Sequence, residues 1–183
     1  MEKSKPMKKT ILLIMVIIVS VVVFMLWNQK KIEKSIAEVS NFEECAAKGY
    51  PILESYPSQC KTPDGRTFAE DIGNELEKQD LIRINSPRPN ELIKSPLEIK
   101  GEARGYWYFE ASFPIKLIDG VGNEVGHAIA QARLDWMTED FVPFEAKLEF
   151  TNPISKKGTL FLKKDNPSGL PEKDDELRIP VRF

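Results

Sequence analysis

Few side chains in this sequence have the chemistry of a catalytic or metal-binding group. His127 is the single histidine, and Cys45 and Cys60 are the only cysteines. Zinc sites in proteins combine several histidine, cysteine or carboxylate ligands, which one histidine cannot supply. The sequence also lacks a nucleophile elbow, and serine hydrolysis needs a positioned nucleophile and base. We therefore predict no catalytic residue, no metal and no cofactor, and expect His127 to be a hydrogen-bonded structural residue.

Carboxylates could supply a different chemistry. Asp135, Glu139 and Asp140 share one short segment. A second acidic segment contains Asp165, Asn166, Asp174 and Asp175. Such groups bind cations, or act in pairs on glycosidic bonds. Neither segment has the regular spacing of a calcium loop, so we expect two solvated, structured loops.

Aromatic residues near the first acidic segment form a candidate binding site. Aromatic rings stack on flat ligands and line binding grooves. The alternative is that Trp107 fills the core while the neighbouring tyrosines cover one face of a sheet. The candidate binding residues are Tyr106, Tyr108, Trp136, Glu139 and Asp140.

The N-terminal run Ile11–Trp27 is apolar except for Ser20. Seventeen helical residues span about 26 Å, close to the roughly 30 Å hydrocarbon core of a bilayer. The bulky exit Phe24–Asn28 lacks the small residues of a cleavage site. We predict an uncleaved signal anchor at residues 10–27, with a cleaved signal peptide and a buried core helix as the alternatives.

Charge limits the partners and suggests the orientation. The net charge is −2, and the first 27 residues carry four lysines and one glutamate, so the remainder is more acidic. An acidic chain disfavours nucleic acid, which needs a concentrated basic face. Lysines on both sides of the apolar run leave only a small positive-inside bias. We expect residues 1–9 in the cytoplasm and the C-terminal part outside, chiefly because of the cysteines.

Cys45 and Cys60 both follow the membrane segment. Their even number, the export signal and the loop-forming sequence between them favour a disulfide over two unrelated buried thiols. A disulfide implies an oxidising compartment. The stretch Tyr56–Asp71 resembles a fragment of Kazal-type protease inhibitor domains, but those domains use six cysteines, so no inhibitory residue is transferred.

Seven segments after Asp80 alternate between apolar and polar residues, which predicts strands because successive side chains point to opposite faces. They are approximately residues 81–85, 92–102, 106–119, 124–134, 144–150, 158–163 and 177–183. In the third, alternate residues from Trp107 to Leu117 share the inner face, and in the fourth that face carries Gly126, three alanines and Leu134. Pro96 and Pro180 each suggest an edge position or an irregular site.

This pattern favours an immunoglobulin-like sandwich, with an up-and-down barrel as the alternative. The fold class is mainly β, preceded by one transmembrane helix and a small disulfide-closed module. The expected divisions are a cytoplasmic N-terminus (1–9), the membrane anchor (10–27), a stalk (28–40), the cysteine module (41–71), a linker (72–80) and the sandwich (81–183).

Three motifs carry a resemblance to a known family. They are SPL-x-I-x-G at residues 95–101, W-x-F-E at residues 107–110, and DWM followed by F-x-PF at residues 135–144. The segment Ile82–Phe183 resembles the immunoglobulin-like domain of bacterial spore germination proteins, the second of the families found beside GerM domains. The resemblance implies a bacterial cell-envelope domain without established catalytic residues.

Together these features predict a single-pass membrane protein of the bacterial envelope. Residues 10–27 would contact the lipid bilayer, and the immunoglobulin-like domain would be a non-catalytic binding or structural module for an envelope protein or glycan. The alternative is an envelope protease inhibitor or hydrolase that uses the Cys45–Cys60 module or the acidic loops.

Overall fold

The computed structural model describes residues 6–151 and 153–183. Residues 1–5 of the predicted cytoplasmic segment therefore lie outside the described residues. Contacts between Cα atoms separate the chain into two compact units, Met1–Glu70 and Asp71–Phe183.

The first unit begins with one long helix, α1 (Pro6–Ala37). Within it, Ile11–Ile32 is the one helical stretch of the described chain that is long and apolar enough to cross a membrane. Ser20 donates its hydroxyl to the Ile17 carbonyl at 2.8 Å, so its polar group is satisfied within the helix. By length and composition, this helix could be a membrane anchor or a signal sequence.

A small module follows α1. It contains helix α2 (Phe42–Ala47) and strands β1 (Ile52–Leu53), β2 (Gln59–Lys61) and β3 (Thr67–Ala69), which form an antiparallel sheet in that order. The predicted disulfide is confirmed: Cys45 and Cys60 are bridged, with 6.0 Å between their Cα atoms. Both cysteines are buried with Val39, so the bridge and a residue two positions beyond α1 share one small core.

The second unit is a seven-stranded domain, which confirms the predicted mainly β fold. It contains the short helix α3 (Glu75–Lys78) and strands β4 (Ile82–Ser86), β5 (Leu97–Arg104), β6 (Ser112–Asp119), β7 (Glu124–Ala132), β8 (Phe141–Leu148), β9 (Lys157–Lys163) and β10 (Glu176–Arg182). The strand order is β10-β9-β6-β7-β8-β5-β4, and every neighbouring pair is antiparallel.

The strands fold into a sandwich-like arrangement around one core. β7 pairs with β8 at Gln131↔Glu145 and Ala132↔Phe144, with one isolated bridge at Gly126↔Phe150. Phe113 on β6 packs edge-on against Phe144 on β8, with ring centroids 4.9 Å apart, although β7 lies between these strands in the sheet order. The largest fully buried side chains are Trp107, Phe113, Phe144, Ile82, Ile84, Ile99, Ile115, Leu117, Leu148, Leu160, Leu162 and Leu177.

The predicted third strand, Tyr106–Asp119, is wrong in its first half. Gly105–Trp107 forms a 3-10 turn, and β6 begins only at Ser112. Before it, Phe109 and Ser112 exchange two backbone hydrogen bonds of 3.0 Å around a two-residue turn. Both turn residues, Glu110 (φ 48°) and Ala111 (φ 61°), have left-handed backbones, so the residues from 107 to 111 do not share one strand face.

Two other details of the predicted strands also differ. β7 ends at Ala132, and Leu134, which was assigned to the inner face, is exposed in the following loop. Pro96 does not mark an edge, because β5 starts after it at Leu97 and is paired on both sides by β4 and β8. A proline just before a strand removes no ladder hydrogen bond. Pro180 does lie on an edge strand, β10, as predicted.

The stretch expected to be a linker, residues 72–80, is packed against the domain. Ile72, Asn74 and Glu75 are buried. The outer edge of β10 is covered by this stretch and by residues 90–93, because Asn90 and Ile93 donate their N–H groups to the carbonyls of Pro180 and Arg182. Such coverage removes the unpaired backbone groups that make exposed sheet edges prone to association.

Candidate functional site

The candidate residues from the sequence lie at one end of the second unit, which we call the upper end. It is the end at which β6 begins and β5, β7 and β9 finish. Three connections form it: residues 105–111 after β5, residues 133–140 after β7, and residues 164–175 after β9. Loops held by a rigid sandwich are common positions for binding residues.

Gly105 allows the first two connections to pack together. Its N–H donates to the Asp140 carbonyl at 3.2 Å. A Cβ atom at this position would lie 1.8 Å from the Thr138 carbonyl oxygen and 2.3 Å from the Trp136 oxygen. Only glycine fits this approach, and it brings the residue before Tyr106 against the segment that contains Trp136.

The segment 135–140 is ordered by its own hydrogen bonds. The Asp135 carboxylate accepts from the Met137 N–H at 3.0 Å, and the Thr138 hydroxyl accepts from the Asp140 N–H at 3.2 Å. The Thr138 N–H also donates to the Trp136 carbonyl at 2.8 Å. These contacts hold the backbone in a fixed loop and leave the Met137 side chain exposed.

Arg104 fixes the end of this loop to the sheet. Its guanidinium donates to the Glu139 carbonyl at 3.2 Å and to the Asp80 carbonyl at 3.0 Å. It also stacks over the Phe141 ring at 4.1 Å, and Arg83 stacks over that ring at the same distance. Arg104 is therefore occupied by structural contacts.

Tyr106 is half exposed, at 50%, so its side chain is accessible and it remains a candidate binding residue. The Lys164 ammonium lies 5.8 Å from the centre of its ring, within the range of a cation–π contact. The neighbouring Trp107 is buried, and its carbonyl accepts from the Asp165 N–H at 3.0 Å. This hydrogen bond ties the third connection to the first.

Tyr108, predicted as a candidate binding residue, is buried and does not line the surface. Only 4% of it is exposed, its hydroxyl donates to the Val142 carbonyl at 2.6 Å, and its ring packs edge-on against Phe113. Burial raises the pKa of Tyr108, so the hydroxyl stays protonated. The buried hydrogen bond satisfies the polar group of a residue whose ring is part of the core.

Three exposed apolar residues at the upper end were not among the sequence candidates. Phe109, Leu134 and Met137 are 41%, 67% and 76% exposed. Together with Tyr106 we call these residues the upper patch. Trp136 is left out of the patch because it is half-buried. A sequence signal existed for Leu134 and Met137, since both are apolar residues in the polar connection between two strands. Phe109 gave no such signal, because its position in a tight turn is not visible from residue type.

Four carboxylates accompany the upper patch: Glu110, Asp135, Glu139 and Asp140. All four residues are exposed. The ion pairs among the described residues involve none of them. Anywhere in the described chain, no group of three or more histidine, cysteine or acidic residues is placed to hold a metal ion.

The second acidic loop is occupied by internal contacts. Asn166 donates its amide to the Asp174 carboxylate at 2.7 Å, and Asp175 pairs with Lys78 at 2.6 Å. A shallow polar depression of about 430 Å³ lies beside them and is also lined by Lys163. Its charges are largely paired within the domain.

His127 lies away from the upper end, on the exposed side of β7. Its Nδ1 is 3.5 Å from the Glu124 carboxylate, at the surface rather than in the core. A hydrogen bond from Lys116 is the main reason that the pKa of Glu124 is lowered. A shallow groove of about 590 Å³ runs past both residues and Phe150.

Comparison with known proteins gives one match. Residues 81–169 match the family described as the immunoglobulin-like domain of bacterial spore germination. No curated protein and no solved structure matches the chain. The match begins with β4 and includes the three motifs noted in the sequence, and it ends before β10. The C-terminal half of the chain therefore carries a segment similar to the immunoglobulin-like domain of bacterial spore germination, as the sequence motifs indicated.

Proposed function

We propose that this chain is a membrane-anchored bacterial protein that holds an immunoglobulin-like domain outside the cytoplasm as a non-catalytic binding module. The observation that carries the proposal is the direct connection between an apolar helix and a disulfide-closed module. α1 is apolar over Ile11–Ile32 and leads directly to Val39, which packs against the Cys45–Cys60 bridge. Stable disulfides are typical of oxidising compartments outside the cytoplasm.

An anchor explains α1 better than a cleaved signal peptide does. The helix continues without a break past Trp27 to Ala37. Residues 24–28 at the end of the apolar run are mostly bulky, whereas signal peptides end in small residues at the cleavage site. Trp27 suits the interface between membrane and water.

Binding explains the second unit better than catalysis does. The matched family is not a known enzyme family. Three of the four carboxylates at the upper end, Asp135, Glu139 and Asp140, belong to a loop ordered by its own hydrogen bonds, such as the Asp135–Met137 contact. A rigid sandwich that presents ordered loops is a common design for recognition domains.

The test is a topology measurement on the full chain in a bacterial host. One variant carries Ile154→Cys in an exposed loop of the second unit, and another carries a cysteine added at the N-terminus. A membrane-impermeant maleimide should label the Ile154→Cys variant in intact cells, and should label the N-terminal cysteine only after lysis. Labelling of the N-terminal cysteine alone in intact cells would refute the orientation.

The same cells test the anchor. Full-length chain should remain in the membrane fraction after extraction with alkaline carbonate. A released product that begins near residue 28 would show that α1 is a cleaved signal peptide. For the maleimide labelling, lysed cells provide the control in which both introduced cysteines must react.

A further inference from the structure

The upper patch combines features expected of a protein-binding surface. Its members are Tyr106, Phe109, Leu134 and Met137, all large, apolar and exposed at one end of the domain. Aromatic residues and methionine are enriched in the cores of protein interfaces. Methionine also adapts its shape to different partners because its side chain is unbranched and flexible.

Charge around the patch is predominantly negative. The four carboxylates Glu110, Asp135, Glu139 and Asp140 accompany the patch, and no ion pair of the described residues neutralises them. Three cations at this end of the domain already have partners within it, and one of them lies on the patch itself. Arg133 pairs with Glu145 at 3.4 Å, Arg104 stacks on Phe141, and Lys164 lies over Tyr106.

We propose that the upper patch binds a protein surface whose apolar side chains are surrounded by lysine or arginine. This inference rests on the proposed function, because it names the partner of that binding module. Complementary charge at the rim steers association and selects the partner, while the buried apolar centre supplies most of the affinity.

A glycan partner fits the patch less well. Sugars stack on aromatic rings, and Leu134 and Met137 offer no ring. Anionic polymers of a cell envelope would be repelled by the four carboxylates. A basic, partly apolar protein surface can pack apolar side chains against Leu134 and Met137 and pair its cations with the four carboxylates.

The patch is also held rigidly. Phe109 is fixed by the two hydrogen bonds that it exchanges with Ser112, and the loop before Met137 is ordered by the Asp135 contact. A backbone that is already ordered loses less conformational entropy on binding than a flexible loop does.

The experiment is a selection of peptides on the full chain in lipid nanodiscs. A phage-displayed library of random twelve-residue peptides is first depleted on empty nanodiscs and then selected on the protein. We expect enriched peptides that combine aromatic or aliphatic residues with lysine or arginine. Their binding should weaken by about thirtyfold in the variant Met137→Ser, which removes the apolar side chain without adding charge; this is the loss typical of an interface hot spot.

A second variant tests the charges with little change in shape. The double substitution Glu139→Gln and Asp140→Asn should weaken the selected peptides several-fold and reduce the effect of added salt. The control is Ile154→Ser, which changes an exposed apolar residue in the loop between β8 and β9, at the opposite end of the strands, and should leave binding unchanged.

Three results would overturn the inference. They are enrichment of peptides without basic residues, binding that persists in Met137→Ser, and no enrichment above empty nanodiscs. Each leaves the topology measurement unaffected, because that experiment reports the location of the domain and not its partner.

Discussion

The guanidinium of Arg66 donates to the backbone carbonyl of Ile36 in the last turn of α1, with 2.7 Å between Nη2 and the oxygen. Its second amino group donates to the Val39 carbonyl at 2.8 Å. Asp64 holds the same side chain through Nε at 2.9 Å. The final carbonyls of a helix have no partner within the helix, and a cation near them is favourable. Arg66 therefore fixes the cysteine module to the end of the apolar helix.

Replacing Arg66 with alanine should loosen this connection. The two hydrogen bonds from a partly exposed charged group contribute about 1–2 kcal/mol in total. We expect backbone amides just after Ile36 to exchange hydrogen roughly tenfold faster, since about 1.4 kcal/mol corresponds to one factor of ten. Hydrogen exchange of the full chain in detergent micelles measures this.

Lys61→Ala is the matched control for Arg66, because Lys61 is an exposed cation in the same module. It should leave exchange near Ile36 unchanged. Arg66→Lys should behave more like the alanine variant, since an ammonium lacks the planar fork that reaches two carbonyls. Equal exchange in Arg66→Ala and the original chain would show that the contact contributes nothing.

The core of the sandwich could be predicted from the sequence because alternation continues through β6. Phe113, Ile115 and Leu117 were assigned to the inner face, and all three are buried. The same alternation continues upstream to Trp107, where the chain is not a strand. Alternation reports residue type and not backbone direction, and the turn at Glu110-Ala111 lacks the Asn-Gly sequence that usually reveals it.

That turn leads to a prediction about stability. A left-handed backbone costs a residue with a Cβ atom about 1–2 kcal/mol, whereas glycine adopts it freely. Ala111→Gly should therefore raise the free energy of unfolding by about 0.5–1 kcal/mol, after allowance for the greater freedom of glycine in the unfolded chain. Urea unfolding followed by near-ultraviolet circular dichroism measures the change.

The control substitution for Ala111 should have the opposite sign. Ala128 lies within β7, where the backbone is extended and glycine only weakens the strand. Ala128→Gly should lower the free energy of unfolding by about 0.5–1 kcal/mol. Destabilisation by both substitutions would mean that the Glu110-Ala111 turn carries no strain.

The carboxyl group of Asp119 should make the stability of the folded domain depend on pH. Burial of this carboxyl opposes ionisation, but hydrogen bonds from Asn123 and from the Val121 N–H outweigh it and lower its pKa. The folded-state pKa is therefore below the unfolded value of about 3.9. The stabilisation is present above that value and is lost as the pH falls through the folded-state pKa.

The variant Asp119→Asn should accordingly be less stable than the original chain at pH 7. The difference in melting temperature should narrow as the pH falls below about 4, because the native carboxyl then also becomes neutral. Asn85→Ala, an exposed substitution that changes no titrating group, is the control that should show no such trend. A difference that stays constant from pH 7 to pH 2 would contradict the assignment.

Asn74 shows why the packing of residues 72–80 could not be read from the sequence. The stretch is charged and weakly periodic, which is typical of a linker. Its role depends on one side chain: Asn74 accepts from the Arg178 N–H at 2.7 Å and donates to the Glu176 carbonyl at 3.0 Å. These bonds span 104 and 102 residues along the chain, a separation that no local pattern reveals.

Replacing Asn74 with alanine should therefore destabilise the second unit by at least about 2 kcal/mol. The substitution leaves two backbone groups of β10 without partners at a buried position, and each costs about 1–3 kcal/mol. Urea unfolding of the full chain measures the loss, and Asn85→Ala, an exposed substitution in β4, is the control. Equal stability of the two variants would show that β10 does not need this edge contact. A large loss in Asn74→Ala alone would place the start of the folded domain before the family match, which begins at residue 81.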